Sequence, residues 1–159
     1  MKNKIIIISS PSGAGKTTIC KKLIKKIINL KLSISYTTRP KRIGEVNSRD
    51  YYFINKKTFK QYEKNNFFIE TAKVFDNLYG SPNENIKKIF KKNKNILFDI
   101  DWQGAKKIRK NFNHESIIDF FILPPSKKEL EKRLIKRGRD NKSEIKKRLS
   151  LSMNEISHY

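Results

Sequence analysis

A single cysteine, Cys20, rules out an internal disulfide. Nothing in the sequence therefore points to an oxidising compartment, and the reduced cytoplasm is the expected location. The only two histidines, His114 and His158, have neither a partner nor metal-ligand spacing and are read as structural. No apolar run approaches the roughly 20 residues a bilayer span requires. The N-terminal MKNKIIIISS runs into a polar loop instead of a cleavage site, so a soluble chain with no membrane partner is expected. Acidic residues are also scarce: 15 Asp and Glu stand against 37 Lys and Arg, a formal net charge of +22. Such an excess ordinarily suggests a polyanion partner. Here the lysines are spread through nearly every segment (KKLIKKI, KKIFKKNKN, EIKKRL) and mixed with Asn and Ile, as in a global compositional drift. No specific nucleic-acid site is expected.

What the sequence does hold is enough chain, 159 residues, for one domain with a real core and a small insertion. Three apolar runs, IIII (5–8), NILFDI (95–100) and SIIDFFIL (116–123), read as buried strands. A parallel sheet covered on both faces gives continuous apolar runs instead of alternation. Helix signals lie between and after them. SPNE (81–84) places Ser81 at an N-cap, Pro82 at the first helical position and Glu84 where a capping box wants it. SKKE (126–129) repeats the logic, and NKSE (141–144) does so more weakly. Ile145, Leu149, Met153 and Ile156 form one apolar face of a last helix. Strands thus alternate with helices, which predicts an α/β fold with a parallel sheet. Residues 36–80 break that rhythm with interleaved aromatics and charges around a helix-like KKTFKQYEKN, and read as a small, mainly antiparallel insertion.

Directly after the first strand comes SSPSGAGKTT (9–18). A phosphate-binding loop requires Gly, four residues, then Gly-Lys-Ser/Thr between a strand and a helix. Gly15, Lys16 and Thr17 are in place, although Ser10 stands where the first Gly belongs. The context compensates: a strand precedes the loop, and KTTICKKLIKKIINL continues as a helix with its N-terminus at the loop. Ser12, Gly13, Ala14, Gly15, Lys16, Thr17 and Thr18 are therefore the candidate nucleoside-triphosphate site, and the loop alone says no more than that. Lys16 would bring charge to the β- and γ-phosphates, and the Thr17 hydroxyl would join the shell of a Mg²⁺ ion. Cys20, one turn further on, is read as a small core residue, and Trp102 as a packing residue.

SISYTTRPKRIGEVNSRDY (33–51), ETAKVFDNLYGS (70–81), LFDIDWQGAKKIR (97–109) and LPPSKKELEKRLIKRG (123–138) follow in order, and with them the chain resembles guanylate kinase over essentially its whole length. The resemblance implies the P-loop nucleoside monophosphate kinase fold. Its core would be 1–35 with 81–125, its GMP-binding insertion 36–80, and its helical lid with a returning helix 126–159. It also implies transfer of the γ-phosphoryl group of ATP to GMP with Mg²⁺, giving ADP and GDP. By the same resemblance Arg39, Arg42, Tyr51 and Tyr79 hold the GMP phosphate, and their forked and phenolic donors suit that task. Glu70 reads the guanine edge with Ser35 and Asp101, since N1–H and the exocyclic amine are donors and a carboxylate only accepts. Ser81 joins this GMP-side set. Asp99, also placed with it, lies near Mg²⁺ and the phosphates; the alternative is an Asp99 that merely caps the following helix. Arg137 and Arg148 match the lid arginines that act in catalysis with Lys16, and Arg133 and Arg139 are left outside the set.

Members of the family continue past the SHY motif with a further strand, an Asn-Asp-bearing segment that helps hold adenine, and a closing helix. This sequence stops at Tyr159. A fragment or a naturally shortened chain would have an incomplete adenine site, and the expectation is lower stability than in a version carrying that segment. A guanylate-kinase-like module that has lost catalysis and binds phosphopeptides is the competing reading. The Gly15-Lys16-Thr17 loop and the lid arginines argue against it.

Overall fold

The computed structural model describes residues 3–136, 138 and 142–156. In chain order the elements are β1 (Ile5–Ser9), α1 (Lys16–Lys26), β2 (Leu30–Leu32), β3 (Tyr36–Thr37), β4 (Tyr52–Phe53), α2 (Lys56–Lys64) and β5 (Phe68–Val74). There follow β6 (Asn77–Pro82), α3 (Asn83–Phe90), β7 (Asn95–Asp99), α4 (Trp102–Asn111), β8 (Ile117–Phe121), α5 (Lys127–Lys136) and α6 (Lys142–Ile156).

Four strands form a parallel sheet in the order β2-β7-β1-β8. The continuous apolar runs of β1 and β7 follow from burial on both faces. Ile5, Ile7, Ile96 and Phe98 pack with Ile86 of α3 and with Ala105 and Ile108 of α4. Ile8 and Leu97 point the other way, against Cys20 of α1 and Leu30. Each such fully buried aliphatic side chain contributes about 1.5–3 kcal/mol relative to exposure.

β8 departs from the expected pattern. Among the described residues it lies at the sheet edge, and Ile118 and Phe120 are 43% and 54% exposed. The first helix is also shorter than its sequence suggests, ending at Lys26. Ile27 turns to extended backbone, and Leu30 leaves the helical register to be buried in β2 beside β7.

The second sheet, in the order β4-β3-β6-β5, is antiparallel except for the short β3–β4 pair. Its core is aromatic. Tyr36 stacks on Tyr52 at 4.5 Å and Phe59 of α2 on Phe68 at 4.6 Å. Ser81 is not a helix cap: it belongs to β6, directly opposite Glu70 of β5, and Pro82 takes the N-cap position of α3.

The expected cap at Ser126 is present, its hydroxyl accepting from the Glu129 amide at 3.1 Å. Asn141 lies outside the described residues. α5 and α6 pack through Leu130, Leu134, Ile145 and Leu149. The buried face of α6 continues through Ser152, which is fully buried, whereas Met153 is 42% exposed. Ser152 fits where Met153 could not because its hydroxyl donates to the Ser12 carbonyl at 3.3 Å, close against the loop.

Candidate active site

The chain leaves β1 on one side for β2 and reaches β8 on the other, so the carboxyl ends of β1 and β7 border a crevice of the type in which open α/β sheets bind ligands. The loop after β1 fills its floor. Gly13 and Gly15 have φ of +99° and +102°, a region that L side chains avoid, and these turns bring the backbone to the N-terminus of α1. The first amides of an 11-residue helix thus face the crevice, a ready place for an anion. Lys16 folds back over the loop. Its ammonium lies 2.7 Å from Asp99 Oδ1 and donates to the Ile100 carbonyl at 2.8 Å. Burial disfavours the ammonium, but the Asp99 charge outweighs it and holds Lys16 protonated well above the ordinary lysine range. Cys20, 1% exposed beneath this pair, has its thiol pushed up to about 12 by burial, which makes it inert packing.

A cavity of about 230 Å³ opens above the loop. Ser12, Gly13, Gly15, Lys16, Thr17 and Thr18 line one side, and Ser35, Arg39, Arg42, Tyr51, Glu70 and Tyr79 line the other. Asp99 and Asp101 lie between them, and Arg148 reaches in from α6. Ala14 instead faces a neighbouring hollow with Ile19, Arg133 and Lys136. Arg137 and Arg139 lie outside the described residues. Arg133 does reach the loop, donating to the Ala14 carbonyl at 3.3 Å while paired with Glu129.

Glu70 is 3% exposed. Its Oε1 accepts from the Ser81 hydroxyl at 2.6 Å, and Ser81 in turn lies 2.9 Å from the Ser35 hydroxyl. Burial raises its carboxyl to about 7, even though the Ser81 bond favours the charged form. Ser81 thus lies behind the cavity and holds the carboxylate that faces it. Asp101, not Asp99, caps the following helix, accepting from the Gly104 amide at 2.9 Å and from Gln103 at 3.0 Å. Burial raises the Asp101 carboxyl as well. Asp99 pairs with Lys16 through Oδ1.

On the insertion side, Arg39 grips Glu45 through two bonds, at 3.0 and 2.8 Å, and lies 5.5 Å from the Tyr51 ring. Glu45 also accepts from the Arg42 amide at 2.8 Å. Burial pushes the Tyr51 phenol up to about 12, so it keeps its proton and remains a donor. Tyr79 meets Tyr51 edge to face at 6.1 Å.

Three further side chains carry no local sequence signal for this placement. Glu45 organises both insertion arginines. Phe75, in the two-residue turn between β5 and β6, holds a φ of +55° and lies 5.1 Å from the Arg148 guanidinium. Glu155 of α6 accepts from the Ser12 amide at 3.2 Å, and burial raises its carboxyl.

A parallel sheet, a glycine turn at a helix N-terminus and a partly buried lysine–carboxylate pair define a P-loop nucleotide-binding protein of the α/β class. The guanylate kinase family model matches residues 2–159, and the chain belongs to the guanylate kinase family. Guanylate kinase of Rickettsia prowazekii (strain Madrid E) is 50% identical over 159 residues, 99% of this chain and 80% of that one. Guanylate kinase of Zymomonas mobilis is 45% identical over 98% of this chain and 71% of its own. The crystal structure of guanylate kinase from Anaplasma phagocytophilum superposes with a TM-score of 0.79 at 37% identity, covering 98% of this chain and 71% of that one. The architecture is the P-loop nucleoside monophosphate kinase fold.

Proposed function

We infer that the chain is an ATP:GMP phosphotransferase, forming ADP and GDP. The observation that carries the acceptor's identity is the buried Glu70 carboxylate facing the cavity across from the glycine loop. Guanine offers two adjacent donors, and an acceptor-only group suits both, whereas adenine would set its N1 lone pair against the carboxylate. Ser35 and Asp101 complete that edge. Arg39 and Arg42, organised by Glu45, take the GMP phosphate together with Tyr51 and Tyr79.

On the donor side we propose Ser12 to Thr18 as the ATP phosphate cradle. Lys16 neutralises charge on the phosphates, and Arg148 and Arg137 do so from α6 and the segment before it. Phosphoryl transfer demands little covalent work from a protein; alignment and charge neutralisation carry it. The domain roles follow: 1–35 with 81–125 the nucleotide core, 36–80 the acceptor-binding insertion, 126–159 the lid and returning helix.

Mg²⁺ suits the donor set. The Thr17 hydroxyl and Asp99 carboxylate, both hard oxygen donors, line one cavity. No group of three or more His, Cys, Asp or Glu that could hold a metal occurs among the described residues. An ion that keeps its waters and shares phosphate oxygens needs no more than this. When bound, it supplies charge neutralisation of the phosphates; Lys16 and the loop amides bind and orient them.

No helix among the described residues is long and apolar enough to cross a membrane, and we propose a cytoplasmic setting. The test is to incubate the chain with Mg-ATP and GMP and separate the nucleotides. ADP and GDP in equal amounts are expected. GMP bound but recovered unphosphorylated would instead indicate the binding-module alternative.

A further inference from the structure

Gly104 stands in the first turn of α4, where glycine is the poorest ordinary helix former and no left-handed backbone calls for it. Its lack of a side chain has a spatial cause. A Cβ built there would lie 2.6 Å from Glu70 Oε2 and 3.1 Å from its Cδ, so the carboxylate occupies the place of the missing methyl group. The Gly104 amide meanwhile donates to Asp101 Oδ1 at 2.9 Å. One residue therefore touches both carboxylates assigned to the guanine edge.

We propose that Gly104 is a positioning residue for base selection: the bare face of its Cα seats the Glu70 carboxylate, and its amide fixes that of Asp101. The inference rests on the reading of Glu70 as the guanine reader. Glu70 is pinned at its other oxygen by Ser81, so it cannot swing away without losing that bond. A methyl group at position 104 pushes the far ends of two side chains, Glu70 and, at 3.3 Å, Ile100 Cδ1, not backbone. It is therefore expected to leave folding intact while moving the atoms that meet the base.

The experiment is a double-mutant cycle of Gly104→Ala and Glu70→Ala, with KM and kcat measured for GMP, IMP and ATP. IMP has the N1–H of GMP without its exocyclic amine. Gly104→Ala is expected to raise KM for GMP by about tenfold to a hundredfold, as sub-ångström to ångström displacement of a positioning group does. The GMP-to-IMP preference should fall, and KM for ATP should stay within about twofold. In the Glu70→Ala background the same substitution should change KM for GMP by less than about twofold, because there is no carboxylate left to displace. Equal costs in both backgrounds, or a loss in kcat alone with the GMP-to-IMP preference unchanged, overturns the proposal. If Glu70→Ala itself leaves KM for GMP unchanged, the reading of Glu70 fails first. If Glu70→Ala is harmful and Gly104→Ala harmless, only the role of Gly104 fails.

Discussion

Arg39 and Glu45 form a forked ion pair, two bonds of 3.0 and 2.8 Å, in the wall of the cavity opposite the glycine loop. The same carboxylate holds the Arg42 amide, so one acid organises two arginines. Arg39→Lys keeps the charge and loses the fork. It is expected to raise KM for GMP by about tenfold or more with KM for ATP little changed. Glu45→Ala should act in the same direction, since it frees both arginines from their common anchor. Steady-state kinetics with each nucleotide varied in turn check both.

Glu70 should make acceptor binding pH-dependent. Burial lifts its carboxyl from 4.5 to about 7, so the empty folded site holds a proton that the unfolded chain has released. Its contribution to stability is full below 4.5 and is lost as pH rises through 7, since the folded state binds more protons across that window. On the proposed role of Glu70 as reader of the guanine donors, GMP binds the ionised form, so its affinity should rise over the same range. The GMP phosphate itself titrates near about 6, and Glu70→Gln separates the two effects. GMP titrations at several pH values should show the rise through 7 in the parent chain, beyond whatever the Gln variant shows.

Gly13 joins two constraints. Its φ is +99°, and a Cβ would come within 2.8 Å of Leu130 and 3.2 Å of Leu134, both fully buried. Gly13→Ala is therefore expected to distort the loop and weaken ATP binding by at least about tenfold, with GMP binding nearly unchanged. Calorimetric titration with each nucleotide separately reads the difference.

Phe75 lies in a left-handed turn conformation that costs a bulky residue roughly 1–2 kcal/mol, yet its ring meets Arg148. Phe75→Gly removes that strain and the ring together. A lower kcat with KM for GMP largely retained is expected, because the platform under Arg148, proposed to act on the phosphates, is lost while the proposed acceptor residues remain. Kinetics that split kcat from KM decide this.

The aromatic core of the insertion gives a stability test. Phe59 is fully buried and stacks on Phe68 at 4.6 Å. Phe59→Ala should cost about 3–5 kcal/mol in denaturant unfolding.

The loop and the parallel sheet were legible because their signals are local: a glycine-lysine-threonine turn between an apolar run and a helix, and runs whose two faces are both covered. Ser81 shows where local reading fails. Ser-Pro-Asn-Glu satisfies the capping-box pattern, but pairing of β6 with β5 sets Ser81 opposite Glu70, and a buried carboxylate has the stronger claim on a hydroxyl. α1 ends earlier than its sequence suggests for a similar reason, since burial of Leu30 beside β7 overrides helical propensity. Met153 and Ser152 exchange places because the loop approaches α6 too closely for a long side chain. Glu155 meets the Ser12 amide across 143 residues of sequence, and Phe75 meets Arg148 only through the docking of α6 against a hairpin turn. Contacts of that kind have no periodicity or spacing to betray them.

The most direct measurement is kcat/KM for GMP and for AMP as acceptors of phosphate from Mg-ATP, in the parent chain and in Glu70→Gln. The parent should prefer GMP by at least about a thousandfold, as expected when a buried acceptor meets the wrong edge. The Gln variant, which offers one donor as well as one acceptor, should lose most of that preference by weakening GMP and admitting AMP. A chain that phosphorylates both nucleotides equally, or a Gln variant that keeps the full preference for GMP, would contradict the account.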